Sequence, residues 1–182
     1  SVDGDTVLVA QGNYIENLIL EKEIVLASHA IYDDLNSDWT NNIHVTNTRI
    51  MGGSPMNSKK GSCIQVSYGN IQPTIMGFTI SNGMGTSMLV DDCGVTRTER
   101  SGGAIMAYQA YPIVSHNRFM NNGVSMFDED NAAEAIQNGG AITLYDDDDV
   151  EFDEDRSSSG RNTSSSRAVS YTHLTLPTKV EV

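Results

Sequence analysis

The stretch Gly102 to Asn122, GGAIMAYQAYPIVSHNRFMNN, is a unit that the chain spells more than once. Upstream, Pro73 to Gly83 (PTIMGFTISNG) lies without a gap on Pro112 to Asn122 (PIVSHNRFMNN), matching Ile75 with Val114, Ile80 with Phe119 and Asn82 with Asn121. Downstream, GGAI recurs at Gly139 to Ile142, so that Leu144 and Tyr145 fall where Ala107 and Tyr108 stood. Apolar strand, turn and Asn-Gly corner returning at unequal intervals is the pattern of a solenoid with variable loops.

The rest of the chain fits that idiom. Val7 and Val9 alternate about Leu8, Gly12-Asn13 reads as a turn, Leu18 and Leu20 share a face, and Ile24 to Leu26 form a third apolar run. Turns this short leave no room for crossover helices, so a sheet that coils on itself is expected. Period-2 parity puts Ile64, Val66, Ile105, Ala107, Ile142 and Leu144 inside, and Gln65, Met106, Tyr108, Thr143 and Tyr145 outside. The strand after Ile142 has to stop near Tyr145, because Asp146 and Asp148 would otherwise enter the core unpaired. Val150 and Phe152 then restart an inward pair on the next face. His29 to Thr48, with three Asp, four Asn and the single Trp, reads as a loop, and so does Met84 to Ser101.

GDTVLVAQGNYIENLIL with EIVLAS resembles the first coil of secreted right-handed parallel β-helix proteins, the pectin-lyase-like superfamily. GGAI together with Phe119 and Asn122 (FxxN) is similar to the repeats of polymorphic outer-membrane proteins. The resemblance covers roughly Val2 to Phe152 and implies an all-β, right-handed parallel β-helix (solenoid), truncated at both ends. It also implies a capping helix before Ser1 and a secreted or cell-surface bacterial location. Function does not follow from fold alone.

Composition sets further bounds. The 38% hydrophobic content with only 4 Phe and 1 Trp supports a lean core of small side chains. A net charge of -13 argues against nucleic acid as a partner, and no apolar run approaches the ~18 to 20 residues of a membrane span. Residues 124–155 hold 12 of the 24 acidic residues and no Lys or Arg. Cys63 and Cys93 allow one disulfide at most and form no zinc pattern. Residues 156–168 form a Ser-rich run expected to be a disordered linker. Val169 to Thr178 (VSYTHLTLPT) resembles the translated frame of a sequencing-library adaptor, so 169–182 are set aside as non-native. That leaves 1–155 as a β-helix fragment of about four coils.

Candidate chemistry is sparse. Asp146, Asp148 and Glu151 are calcium candidates, since calcium takes carboxylate oxygens, yet they lack the Gly and spaced Glu of an EF-hand, and a solvated acidic loop is the preferred account of them. No other cofactor is expected. Asn82 and Asn121 fit αL corners whose amides stack from coil to coil. A lyase needs a base such as Arg97, Arg100 or Arg118; a hydrolase needs a carboxylate pair, for which Asp91 and Asp92 qualify only in a loop. His29, His44 and His116 occupy unrelated contexts, with His116 in a polar, solvent-facing turn, and Trp39 either stacks a sugar or covers the side of the coil. The expected function is a non-enzymatic scaffold that binds a polysaccharide or another surface protein through its loops. The alternative is a polysaccharide lyase or glycoside hydrolase with part of its catalytic face missing.

Overall fold

A computed structural model describes residues 1–54, 60–67, 69–92, 95–124, 136–138, 141–145 and 150–151. The Ser-rich run and residues 169–182 lie outside them. In chain order the strands are β1 (Thr6–Val9), β2 (Gly12–Ile15), β3 (Leu18–Leu20), β4 (Val25–Ser28), β5 (Thr48–Met51), β6 (Ile64–Ser67), β7 (Thr74–Met76) and β8 (Thr79–Ser81). They continue with β9 (Thr86–Asp92), β10 (Val95–Ser101), β11 (Ile105–Tyr108), β12 (Ile113–Ser115), β13 (Arg118–Met120), β14 (Ile136–Asn138), β15 (Ile142–Tyr145) and β16 (Val150–Glu151). A short helix, α1, spans Ile43–Asn47.

Twelve of these strands form three parallel sheets of four. The first has the order β1-β4-β7-β12, the second β13-β8-β5-β2 and the third β15-β11-β6-β3. The chain visits the three sheets in the same order four times, which is compatible with a β-helix. The internal match in the sequence is the register itself: Ile75 pairs Val114, Ile80 pairs Phe119, and Ile105 to Tyr108 pair Ile142 to Tyr145.

Each sheet turns one row of apolar side chains inward, and the rows stack into ladders. Val7, Leu26, Ile75 and Val114 make one, Ile50, Ile80 and Phe119 another, and Leu18, Ile64, Ile105 and Ile142 a third. All belong to a single hydrophobic core in which Ile64, Ile75, Ile80 and Ile105 are fully buried. Burying such a side chain contributes about 1.5–3 kcal/mol.

Corners are made by backbone conformation and close approach. Asn82 and Asn121 adopt φ of 61° and 54°, and Gly77 and His116 make the tight corner between first and second sheets at 82° and 51°. The amide bonds across the corners are supplied by other asparagines. Asn117 accepts from the Phe78 N–H at 2.9 Å and donates to the Ile75 carbonyl at 2.7 Å. Asn122 bridges the Gly83 N–H and the Ile80 carbonyl, and Asn17 bridges the Gly53 N–H and the Ser62 carbonyl, each in the same way. No such bond joins Asn82 to Asn121; the Asn82 N–H instead donates to the Met120 carbonyl.

Four expectations are corrected. Gly12 and Asn13 are the first residues of β2, paired with Thr48 and Arg49, so the turn lies before them. Residues 29–47 are a folded unit: a 3-10 turn at His29–Tyr32 capped by Ser28, a second at Trp39–Asn41, and α1 capped by the Asn42 side chain. They bury Ala30, Leu35 and Val45, with Trp39 and Met76 packed against them. Met84 to Ser101 contains an antiparallel hairpin, β9 with β10. β14 adds to it in parallel and β16 in antiparallel, so Val150 joins this lateral sheet and not the next face of the coil; Phe152 lies outside the described residues.

The hairpin also explains why parity fails on the outer face of the third sheet. Met106 is fully buried, Tyr108 is 2% exposed and Gln65 8%. Thr86, at the foot of β9, is bonded through its hydroxyl to the N–H and hydroxyl of Ser62, just ahead of β6. Met88, Glu99 and Arg100 of the hairpin are buried as well. A roofed sheet needs no wet side, and alternation stops marking inside from outside.

Candidate functional site

The outer face of the second sheet carries a groove beside α1. The sheet's inward row is Tyr14, Ile50, Ile80 and Phe119; alternation therefore turns Asn13, Arg49, Thr79 and Arg118 outward in one row and Ile15, Met51, Ser81 and Met120 in the next. Arg49, Met51, Thr79, Ser81, Arg118 and Met120, with Asn82 and Asn121 at the rim, line a concavity of about 270 Å³. The Arg49 Nε donates to the Thr46 carbonyl at 2.9 Å, which braces that side chain against the end of α1. Thr79 donates its hydroxyl to the Val45 carbonyl at 2.9 Å. Among the described residues neither arginine has a carboxylate within ion-pair distance. On a chain of net charge -13 these two cations on one face form a local exception.

A second cluster sits in the folded unit between β4 and β5. The His44 Nδ1 lies 2.7 Å from the Asp33 carboxylate, and the Asn42 amide donates to the same oxygen at 2.8 Å. These two hydrogen bonds, His44 first, hold the Asp33 carboxyl below the usual carboxylate range. The His29 ring stands 5.9 Å from His44 and 6.3 Å from Tyr32. His116 is not in a solvent-facing turn: its ring meets Trp39 edge-on at 5.4 Å. The histidines the sequence scattered thus fall into two contacts around one loop, joined by non-local packing that no local motif announces. Trp39 covers the side of the coil. No group of three or more His, Cys, Asp or Glu with metal-binding geometry occurs among the described residues.

The sequence-derived candidates are dispersed. Asp146 and Asp148 lie outside the described residues, and Glu151 is a backbone position in β16, paired with Leu89. Asp91 and Asp92 lie in β9, not in a loop, and Arg97 is opposite Val90 in β10. Arg100 is fully buried, with one guanidinium nitrogen donating to the Gly85 carbonyl at 3.1 Å. Arg118 lines the groove of the second sheet. Cys63 is a buried free thiol that donates to the Ser81 carbonyl, and burial pushes its pKa up to about 11; Cys93 lies outside the described residues. On the roofed face of the third sheet, Gln65 Oε1, Ser67 Oγ and Thr143 Oγ1 are buried without partners among the described residues. No helix among those residues is long and apolar enough to cross a membrane.

No family model, no curated protein and no solved structure matches this chain.

Proposed function

We propose that the chain is a right-handed parallel β-helix from a secreted or cell-surface bacterial protein, and that it serves as a non-enzymatic binding scaffold. The hand follows from the strong preference of parallel crossover connections for right-handedness. One observation carries the binding role: a groove on the second sheet is lined by two in-register arginines free of carboxylate partners among the described residues. The enzymatic alternative takes its base from Arg97, Arg100 or Arg118, or its carboxylate pair from Asp91 and Asp92 in a loop. Arg100 is sealed inside, and Asp91 and Asp92 are consecutive residues of strand β9.

Incubation with insoluble acidic and neutral polysaccharides tests this in a single assay by measuring both the protein retained and the sugar released. Retention with no released product is the expected result. Accumulation of unsaturated or reducing ends would replace the scaffold with a lyase or hydrolase.

A further inference from the structure

We infer that the groove on the second sheet is a binding site for a sulfate or phosphate ester carried on a glycan. This rests on the scaffold reading and gives it a place and a ligand chemistry.

The register puts Arg49 and Arg118 on either side of Thr79 in one outward row, two strand spacings or about 9.5 Å apart at the backbone. One bidentate arginine satisfies a carboxylate. Two arginines lining one concavity suit an anion with more acceptor oxygens, as in a sulfate or phosphate ester. Arg49 is half committed, its Nε held by the Thr46 carbonyl, which fixes the plane of its fork. Arg118 makes no side-chain hydrogen bond or ion pair among the described residues, so its whole fork is available to a ligand. Glu16, whose N–H bonds to the Met51 carbonyl, stands at the β2 end, so the anion belongs at the Arg118 end.

The remaining lining favours a sugar as the carrier. Asn82 and Asn121 hold αL backbones at the rim, and their amides, unbonded among the described residues, offer both donors and acceptors to hydroxyl groups. Met51 and Met120 supply apolar flanks for the face of a ring. A phosphopeptide gains less here. The groove lies over a sheet face whose inner strands already spend their backbone groups in the ladder, so strand addition gives it nothing.

Binding of dextran sulfate, phosphorylated dextran, neutral dextran and polyglutamate to the full chain is the test, with Arg118→Ala and Arg118→Lys as variants and Trp39 fluorescence as the check on folding. Dextran sulfate or phosphorylated dextran should bind, whichever ester is the better ligand. Both should weaken with salt and lose about tenfold or more in Arg118→Ala, with partial recovery in Arg118→Lys. Equal binding of neutral dextran, tighter binding of polyglutamate, or an Arg118→Ala variant that binds like the parent would each overturn the site. Unchanged binding in that variant without sugar release would leave the scaffold itself standing, whereas released sugar would remove the scaffold.

Discussion

Asn117 shows how much one side chain carries at a corner of the coil. It is 5% exposed, and its amide satisfies the Phe78 N–H and the Ile75 carbonyl of the coil above. Removing it leaves two buried backbone groups without partners, each costing about 1–3 kcal/mol. Asn117→Ala should therefore lower unfolding stability by about 2–4 kcal/mol in a denaturant titration, while Asn117→Asp keeps the acceptor and loses only the donor. Cys63 makes the opposite kind of case, a reactive group made inert. With its pKa pushed up to about 11 by burial and its Sγ on the Ser81 carbonyl, it should resist a thiol reagent at pH 8 in a Cys93→Ser background. Labelling should begin only where denaturant opens the coil; rapid labelling of the native protein would contradict the buried position.

At the scale of elements, the unit between β4 and β5 should respond to acid in a defined direction. The Asp33 pKa is lowered in the fold, so its contribution to stability is present in full above the ordinary carboxylate value near 4. It is lost as the pH falls below that value. Trp39 is the only tryptophan and packs on the same unit, so its fluorescence reports the change. The stability advantage of the parent over Asp33→Asn should be constant from pH 7 to about 5 and shrink below about 4; a difference that persists to pH 2 would assign the cluster another role. The corner between the second and third sheets is constrained in a different way. A Cβ on Gly83 would run into the Gly103 carbonyl and come within 2.9 Å of the Cys63 Sγ. Gly83→Ala should cost at least about 1–3 kcal/mol by overpacking. The core strands were legible because their ladder repeats in the sequence: Ile75 over Val114 and Ile105 over Ile142 are written in apolar periodicity and spacing. The hairpin was not, since Asp91-Asp92 and Arg97 to Arg100 look like a solvated loop unless the partner strand is known. Nor was the open groove, because Arg49 and Arg118 are 69 positions apart (118 minus 49) and meet only through the stacking of β5, β8 and β13. His29 and His44 are brought together by the same kind of non-local packing.

For the molecule as a whole, stacking makes stability nearly one-dimensional, with each strand supported by the one above and the one below. In every parallel sheet two strands are inner and two are outer: β4 and β7, β5 and β8, and β6 and β11 are the inner pairs. Their inward side chains Ile75, Ile80 and Ile64 are fully buried, while the inward Val7 on β1, Leu18 on β3, Val114 on β12 and Phe119 on β13 are only partly buried. Local opening costs least where neighbours are missing, so amide exchange should grade along the stack. Protection should be highest in β4 to β8 and β11 and lowest in β1. The same gradient governs mutation: Ile75→Ala should cost about 2–5 kcal/mol, and Val7→Ala, on the same ladder at its outer rung, distinctly less. Equal protection throughout and equal costs at Ile75 and Val7 would mean that the described coils unfold as one cooperative block and not from their ends inward.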